Sequence, residues 1–224
     1  MSTLSCLNRV KRSVTTDGYS ARPKAAADIQ IFRYRIDRSG SMNSMKTEAY
    51  VGTLDYLKTS AETAIKNGAN GHITFGTFDS EMEIVYDKED FKTVLDRVSS
   101  DLGKQIIKSS ILPRGMTRLR DAVIEDVCAL RRQKKEIEKN MPREVARLNP
   151  TVIVTYAVFT DGDDNESRHS IKMMSDSVKA ARNDDIICLF LAANQDACSA
   201  GERFGFSADH SLNVDSYGDD KWSE

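Results

Sequence analysis

Apolar residues along the chain fall into two alternating rhythms. Ile29 to Ile36 is a run rich in Ile, Phe and Tyr that ends at Asp37, the signature of a strand. Asn43 or Ser44 then stands where a helix cap belongs, with Glu48 in the first turn. Tyr50, Leu54, Leu57, Ala61 and Ala64 follow at helical spacing and stop before Asn67-Gly68. His72 to Phe78 reads as a second strand, and Asp79-Ser80 as a turn. Met82, Ile84 and Tyr86 then alternate with Glu81 and Glu83, the pattern of an antiparallel edge strand. Phe91, Val94, Leu95 and Val98 make a short helical face, and the chain from there through Pro113 to Met116 reads as loop.

Thr117 occupies the next cap position. Leu119, Ala122, Val123, Val127 and Leu130 form the buried face of a helix that ends in the charged extension Arg131 to Glu136. Asn149-Pro150 closes that connection. Thr151 to Phe159 is β-branched and nearly free of charge, as a strand buried on both faces must be. It runs into Thr160-Asp161-Gly162. Ile171, Met174, Val178 and Ala181 mark another helix, Ile186 to Ala192 a buried strand, Ala197 to Phe204 a short helix and Ser211 to Val214 a last strand. Strands alternating with helices predict an α/β fold. The expected architecture is a doubly wound, mostly parallel six-stranded sheet with one antiparallel edge strand and helices on both faces. Residues 1–27 read as a flexible N-terminal segment, 28–215 as the domain and 216–224 as a polar C-terminal tail.

Composition narrows the class of function. Apolar residues make up 40% and charged residues 29%, the balance of a soluble globular protein. A formal net charge of -2 provides no basic field to draw nucleic acid. Arg9, Lys11, Arg12, Arg22 and Lys24 are read as a solvated tail. Cys6, Cys128, Cys188 and Cys198 match no CxxC or dense disulfide spacing and are read as free thiols of a reducing compartment. The longest near-apolar run, Thr151 to Thr160, is about half the ~20 residues of a membrane span. The start MSTLSCLNRVKR lacks the apolar centre of a secretory signal. A cytoplasmic protein with neither membrane nor nucleic acid as partner is expected. His72, His169 and His210 lie in separate elements without zinc-helix spacing and are read as structural.

The remaining polar pattern is one of hard oxygen donors. In doubly wound folds ligands sit beyond the carboxyl ends of the strands, where strand order reverses. Asp37, Ser39 and Ser41 follow the first strand, Thr117 opens a helix, and Asp161 follows the central strand. Alternate positions in a loop leaving a strand turn to one side, and Gly40 permits the tight turn between them. Two carboxylates and three hydroxyls, with no sulfur or imidazole, suit Mg²⁺, or Mn²⁺ in its place. Two carboxylates only balance the ion; if one of them acts through water, the ion stays electron-poor and open to an incoming carboxylate.

The run Asp37-Arg38-Ser39-Gly40-Ser41-Met42, with Thr117 and Asp161 in order behind it, resembles the DxSxS signature of the von Willebrand factor type A domain. The strand and helix order from about 28 to 215 is similar to that family's, and Phe190 to Ala197 resembles its microbial and phage-type members. The resemblance implies a metal-ion-dependent adhesion site, or MIDAS. Ser39 and Ser41 would ligate directly, Thr117 and Asp161 directly or through water, and Asp37 would orient the serines and a coordinating water. It also implies a protein partner that completes the coordination with an Asp or Glu. Two departures stand out. Arg33 and Arg35 occupy the first strand where the family has aliphatics, so either that face is less buried or the arginines pair with acids. The sequence also ends soon after the last strand, so either the closing helix that couples the site in integrin-type members is missing or very short, or the sequence is a fragment of a longer protein; the switch is not carried over.

Asp163, Asp164, Asn165 and Glu166 are read as an exposed polar loop rather than a second ion site. Their charge favours a partner that brings its carboxylate amid basic residues. An enzyme reading competes. A strand-end aspartate with Mg²⁺ also describes aspartyl-phosphate hydrolases of the haloacid dehalogenase type, but their second acid is Ser39 here, which cannot transfer the acid's proton. No nucleophile elbow and no phosphate-cradling GxxxxGK[ST] loop is present either. A non-enzymatic, metal-dependent protein-binding module is expected. The alternatives are a Mg-dependent phosphohydrolase and a partner-recruiting subunit of a metal-handling or AAA ATPase assembly.

Overall fold

The computed structural model describes residues 28–162, 164–193 and 196–214. The segment 1–27, the tail 216–224, Cys6, Asp163 and the Asn194-Gln195 pair lie outside the described residues.

Six strands form one sheet in the order β3-β2-β1-β4-β5-β6. They are β1 (Ile29–Asp37), β2 (Asn70–Phe78), β3 (Met82–Glu89), β4 (Val152–Thr160), β5 (Ile186–Ala193) and β6 (Ser211–Val214). Every pairing is parallel except β2 with β3. The expected α/β architecture and its antiparallel edge are therefore present. The longer helices are α1 (Lys46–Lys66), α2 (Phe91–Ser99), α3 (Asp101–Ser110), α4 (Leu119–Asn140) and α6 (Ile171–Asn183), with short α5 (Arg143–Ala146) and α7 (Ala197–Arg203).

Two apolar layers cover the two sheet faces. Tyr34, Ile36 and Phe75 pack with Leu57 and Ala61 of α1 and Val94 of α2. Ile31, Val154, Val158 and Phe190 pack with Ala122 and Val127 of α4 and Val178 of α6. Alternation along β1 makes this division, because successive side chains of a strand point to opposite faces.

Local chemistry explains two differences from the sequence reading. The stretch after Val98 is not a loop but carries α3. Ser100 caps it by accepting from Gly103 N at 3.1 Å, and Ile107 faces the core. Gly103 lets this helix start against the end of α2, since a Cβ there would lie 2.0 Å from Arg97 O. Asn43 and Ser44 cap no helix. They belong to a 3-10 turn, Gly40–Met45, which turns Met42 and Met45 into the core before α1 begins.

Arg35 is buried and Arg33 is partly buried. Both reach Asp126 of α4, whose side chain is fully buried. Arg35 Nε and NH2 lie 2.8 and 2.7 Å from its two oxygens, and Arg33 NH1 lies 2.8 Å from Oδ1. Burial opposes the charge of Arg35, but the Asp126 carboxylate outweighs it and raises the guanidinium pKa. Arg35 NH1 also donates to Glu83 O at 3.0 Å, crossing Gly76, where a Cβ would sit 2.5 Å from that nitrogen. Gly76→Ala is therefore expected to destabilise the domain by roughly 1–3 kcal/mol, the range for overpacking a filled core. Urea denaturation measures it.

Candidate metal centre

Chain order reverses between β1 and β4. From β1 the sheet grows outward through β2 to β3, and the chain returns through α4 to β4 on the other side of β1. Asp37 ends β1 and Thr160 ends β4, so the two loops leave side by side at the switch point.

Within the first loop, Asp37 Oδ1 accepts from Ser39 N at 2.8 Å. Ser39 Oγ stands 3.0 Å from Ser41 Oγ, so the two hydroxyls converge as their spacing requires. From the other loop, Thr160 Oγ1 donates to Asp37 Oδ2 at 2.7 Å and accepts from Gly162 N at 3.0 Å. Thr160 thus fastens the two strand ends together. Sequence reasoning had it only as the end of a strand. Its signal lay in the register, because Ile36 pairs with Phe159 and so brings Asp37 and Thr160 to the same level.

Thr117 comes to the cradle on a loop rather than as a helix cap. The residue at the N-cap of α4 is Arg118. Gly40 N donates to Gly115 O at 3.2 Å, and Arg114 N to Arg38 O at 2.7 Å, joining the Thr117 loop to the Asp37 loop. Thr117 N donates to Asn165 Oδ1 at 2.9 Å, while Thr117 O accepts from the backbone of Asn165 and Glu166. Asn165 is the second positioning residue the sequence reading missed, having been grouped with its acidic neighbours. Asp37, Ser39 and Thr117 are buried, Asp161 is half-buried and Ser41 is exposed, so the cradle opens to the surface on one side.

Charge in the cradle is unbalanced. Burial pushes the Asp37 carboxyl up to about 7, against the hydrogen bonds from Ser39 and Thr160 and with the help of the nearby Asp161. Asp161 Oδ1 is buried and has no hydrogen-bond partner among the described residues. The surrounding arginines are committed elsewhere. Arg38 holds Asp79 at 2.9 Å, Ser110 O at 3.1 Å and Glu83 at 2.7 Å. Arg118 holds Asp121 at 2.8 Å, and Arg120 holds Asp164 at 3.1 Å. Asp164 is thus a neutralised anchor, not part of an open acidic patch. His169 is likewise structural, its Nδ1 2.7 Å from Asp121 Oδ1.

A buried carboxylate oxygen without a donor, near enough to a second carboxylate to raise its pKa and on the same strand-end edge as the paired hydroxyls of Ser39 and Ser41, suits a hard divalent cation. Among the described residues no group of three His, Cys, Asp or Glu is placed to hold a metal, and a cradle made largely of hydroxyls would not form one. The Arg38 side chain ties the loop after β1 to Asp79 and to Ser110 O at the end of α3. Arg38→Lys loses the fork that spans Asp79 and Ser110 O. It is expected to weaken cation binding about 10-fold, in the range for outer-shell partners, while the far-ultraviolet circular dichroism stays native.

No family model and no curated protein matches the sequence. Solved structures do match. The proximal thread matrix protein 1 of the mussel byssus, with a zinc-occupied MIDAS motif, superposes with TM-score 0.54 at 17% identity over 85% of this chain and 45% of that one. The pilus adhesin SpaC of Lactobacillus rhamnosus GG, in an open conformation, gives 0.56 at 12% identity over 87% and 29%. A von Willebrand factor type A structure from Catenulispora acidiphila gives 0.50 at 13% identity over 84% and 38%. This chain spans less than half the length of each. Its sheet order and its helices on both faces are those of the von Willebrand factor type A fold, and the Asp37 to Ser41 run stands at that fold's switch point.

Proposed function

We propose that the protein is a non-enzymatic module that binds another protein through a divalent cation held by Asp37, Ser39, Ser41, Thr117 and Asp161. The observations that carry this reading are the buried, unpartnered Oδ1 of Asp161, close to Asp37, and the converged hydroxyls of Ser39 and Ser41 in the loop that Asp37 opens. Mg²⁺, with Mn²⁺ as substitute, is the ion this oxygen-only donor set suits. When bound, the ion supplies positive charge that attracts a partner's carboxylate. The chain's own residues supply the rest. Asp37 fixes the backbone of Ser39 and thereby aims both serine hydroxyls. Thr160 holds Asp37, and Asn165 holds the Thr117 backbone. The structural neighbours point the same way, since one is a pilus adhesin and another carries zinc in its MIDAS motif.

Titration of Mg²⁺ into the metal-free protein, followed by calorimetry, tests the cation site. Saturable binding at one site is expected, and heats no larger than those of dilution would remove the reading. Phosphoester hydrolysis with Mg²⁺ is expected to be absent, and turnover lost on Asp37→Asn would replace the module with a phosphohydrolase. No described helix is long and apolar enough to cross a membrane.

A further inference from the structure

One buried carboxylate fastens the loop after β4 to the start of α4. Asp121, in the first turn of α4, is 4% exposed and accepts from the backbone N–H of Arg168 and of His169, each at 3.1 Å. It also accepts from His169 Nδ1 at 2.7 Å and from the Arg118 guanidinium at 2.8 Å. Burial works against its charge, but the bonds from Arg118 and His169 outweigh burial and hold the carboxyl well below the usual range. Its own backbone N–H donates to Ser167 Oγ at 3.2 Å. Asp164 adds a second tie, accepting from Arg120 N at 2.7 Å and Ser167 N at 3.1 Å.

Both sides of this clasp lead to a proposed donor. On one side Thr117 leads into α4, and its backbone is bonded to Asn165 and Glu166. On the other, Asp161 lies between two anchored positions. Gly162 N is held on Thr160 Oγ1, and Asp164 is held on Arg120. Thr117 and Asp161 therefore belong to one clasped body, while Asp37, Ser39 and Ser41 belong to the loop after β1.

We propose that Asp121 is a positioning residue that fixes Thr117 and Asp161 relative to each other and thereby makes the cradle select Mg²⁺ over Ca²⁺. The inference rests on the metal-dependent reading above. Mg²⁺ demands near-ideal octahedral oxygen geometry at about 2.0–2.1 Å, whereas Ca²⁺ accepts looser sets at about 2.3–2.6 Å. Donors on two independently mobile loops would adapt to either ion. Here widening the cradle means pulling the Asp161 loop off α4, and that breaks bonds to an ionised, buried carboxylate. Such bonds are about twice as strong as those between neutral groups. Asp121 is the node because its oxygens gather donors from both sides, Arg118 on the α4 side and Arg168 and His169 on the loop side.

Calorimetric titration of Mg²⁺ and of Ca²⁺ into metal-free wild type and Asp121→Asn tests this. Asparagine keeps the shape but loses the charge and offers one accepting oxygen where Asp121 uses two. Mg²⁺ is expected to bind the variant about 10-fold more weakly, at the low end for outer-shell changes. Ca²⁺ is expected to change by less than about 2-fold, so the affinity ratio falls about 5-fold or more. In the metal-free protein, hydrogen exchange at the Arg168 and His169 amides should quicken in the same variant. His169→Ala removes a side-chain donor at a half-exposed position and carries the same signature at smaller amplitude, even if Asp121→Asn does not fold. Val94→Ala opens a cavity in the core under α2, lowers stability without touching the clasp, and should leave the ratio unchanged. An unchanged ratio in the clasp variants, an equal fall in Val94→Ala, or a wild type without preference for Mg²⁺ would overturn the role of Asp121 and leave the cation site standing. Failure of either ion to titrate into wild type would remove the cation site itself.

Discussion

Asp126→Ala is expected to remove about 3–5 kcal/mol of stability, the penalty for stranding a buried charge. Two arginines depend on that one carboxylate. Arg33 and Arg35 are 13% and 3% exposed at the side chain, and both lie within 2.8 Å of Asp126 oxygens. After the substitution Arg35 keeps only carbonyl partners, Glu83 O and Thr77 O. A domain of this size has about 5–15 kcal/mol in total, so the variant sits near the edge of folding. Urea denaturation reads the loss. The combination Arg33→Met, Arg35→Met and Asp126→Leu is expected to restore most of it, because an apolar set of similar volume is often as stable as a buried ion cluster. A loss below ~1 kcal/mol in Asp126→Ala would mean that water reaches the guanidinium groups.

The second large effect separates two carboxylates that look alike in sequence. Asp161→Ala removes the buried oxygen that has no hydrogen-bond partner, the proposed ligand, and is expected to weaken Mg²⁺ by more than the ~10–100-fold typical of outer-shell changes. Asp37 is different, because both its oxygens already accept hydrogen bonds, from Ser39 N and Thr160 Oγ1. Asp37→Asn should therefore stay within that ~10–100-fold range. Its effect on the metal-free protein has the opposite sign. Burial and the neighbouring Asp161 raise the Asp37 pKa to about 7 in the folded state, above its ordinary 3.8. For a carboxyl raised in this way, the stability it contributes is full below 3.8 and lost as pH rises through about 7. Metal-free wild type should lose melting temperature over that window, metal-free Asp37→Asn should not, and Mg²⁺ should reverse the loss in wild type alone. Thermal melts across pH, with and without Mg²⁺, check all three. Equal Mg²⁺ affinity of wild type and Asp161→Ala would refute the assignment of Asp161.

Much of the fold was legible because its signals are local. The alternation of Met82, Ile84 and Tyr86 against Glu81 and Glu83 belongs to one edge strand and needed no partner to be seen. The α3 helix was not read. Gly103 and the serines at Ser99, Ser100, Ser109 and Ser110 look like loop, and only packing of Ile107 and the close approach of Gly103 to Arg97 O make them helical. The Asn43 and Ser44 cap failed for a related reason. The chain needed an extra tight turn to place Met42 and Met45 in the core, and no local preference demanded it.

By itself, the sequence determined which hard-oxygen residues stand at the strand ends and on the loop, the five proposed here as donors, because they need no coordinates to be counted. It also determined that a mostly parallel sheet would carry them. The tertiary structure decided which of those donors are already satisfied. Parallel register brought Thr160 to Asp37, the Gly40 to Gly115 bond brought up the Thr117 loop, and Asp161 Oδ1 was left without a partner. It also decided that Arg33 and Arg35 share one buried acid 91 or more residues away. Hydrogen bonds and ion pairs between distant segments depend on which strands become neighbours, and that is set by burial of the whole chain rather than by any window of it.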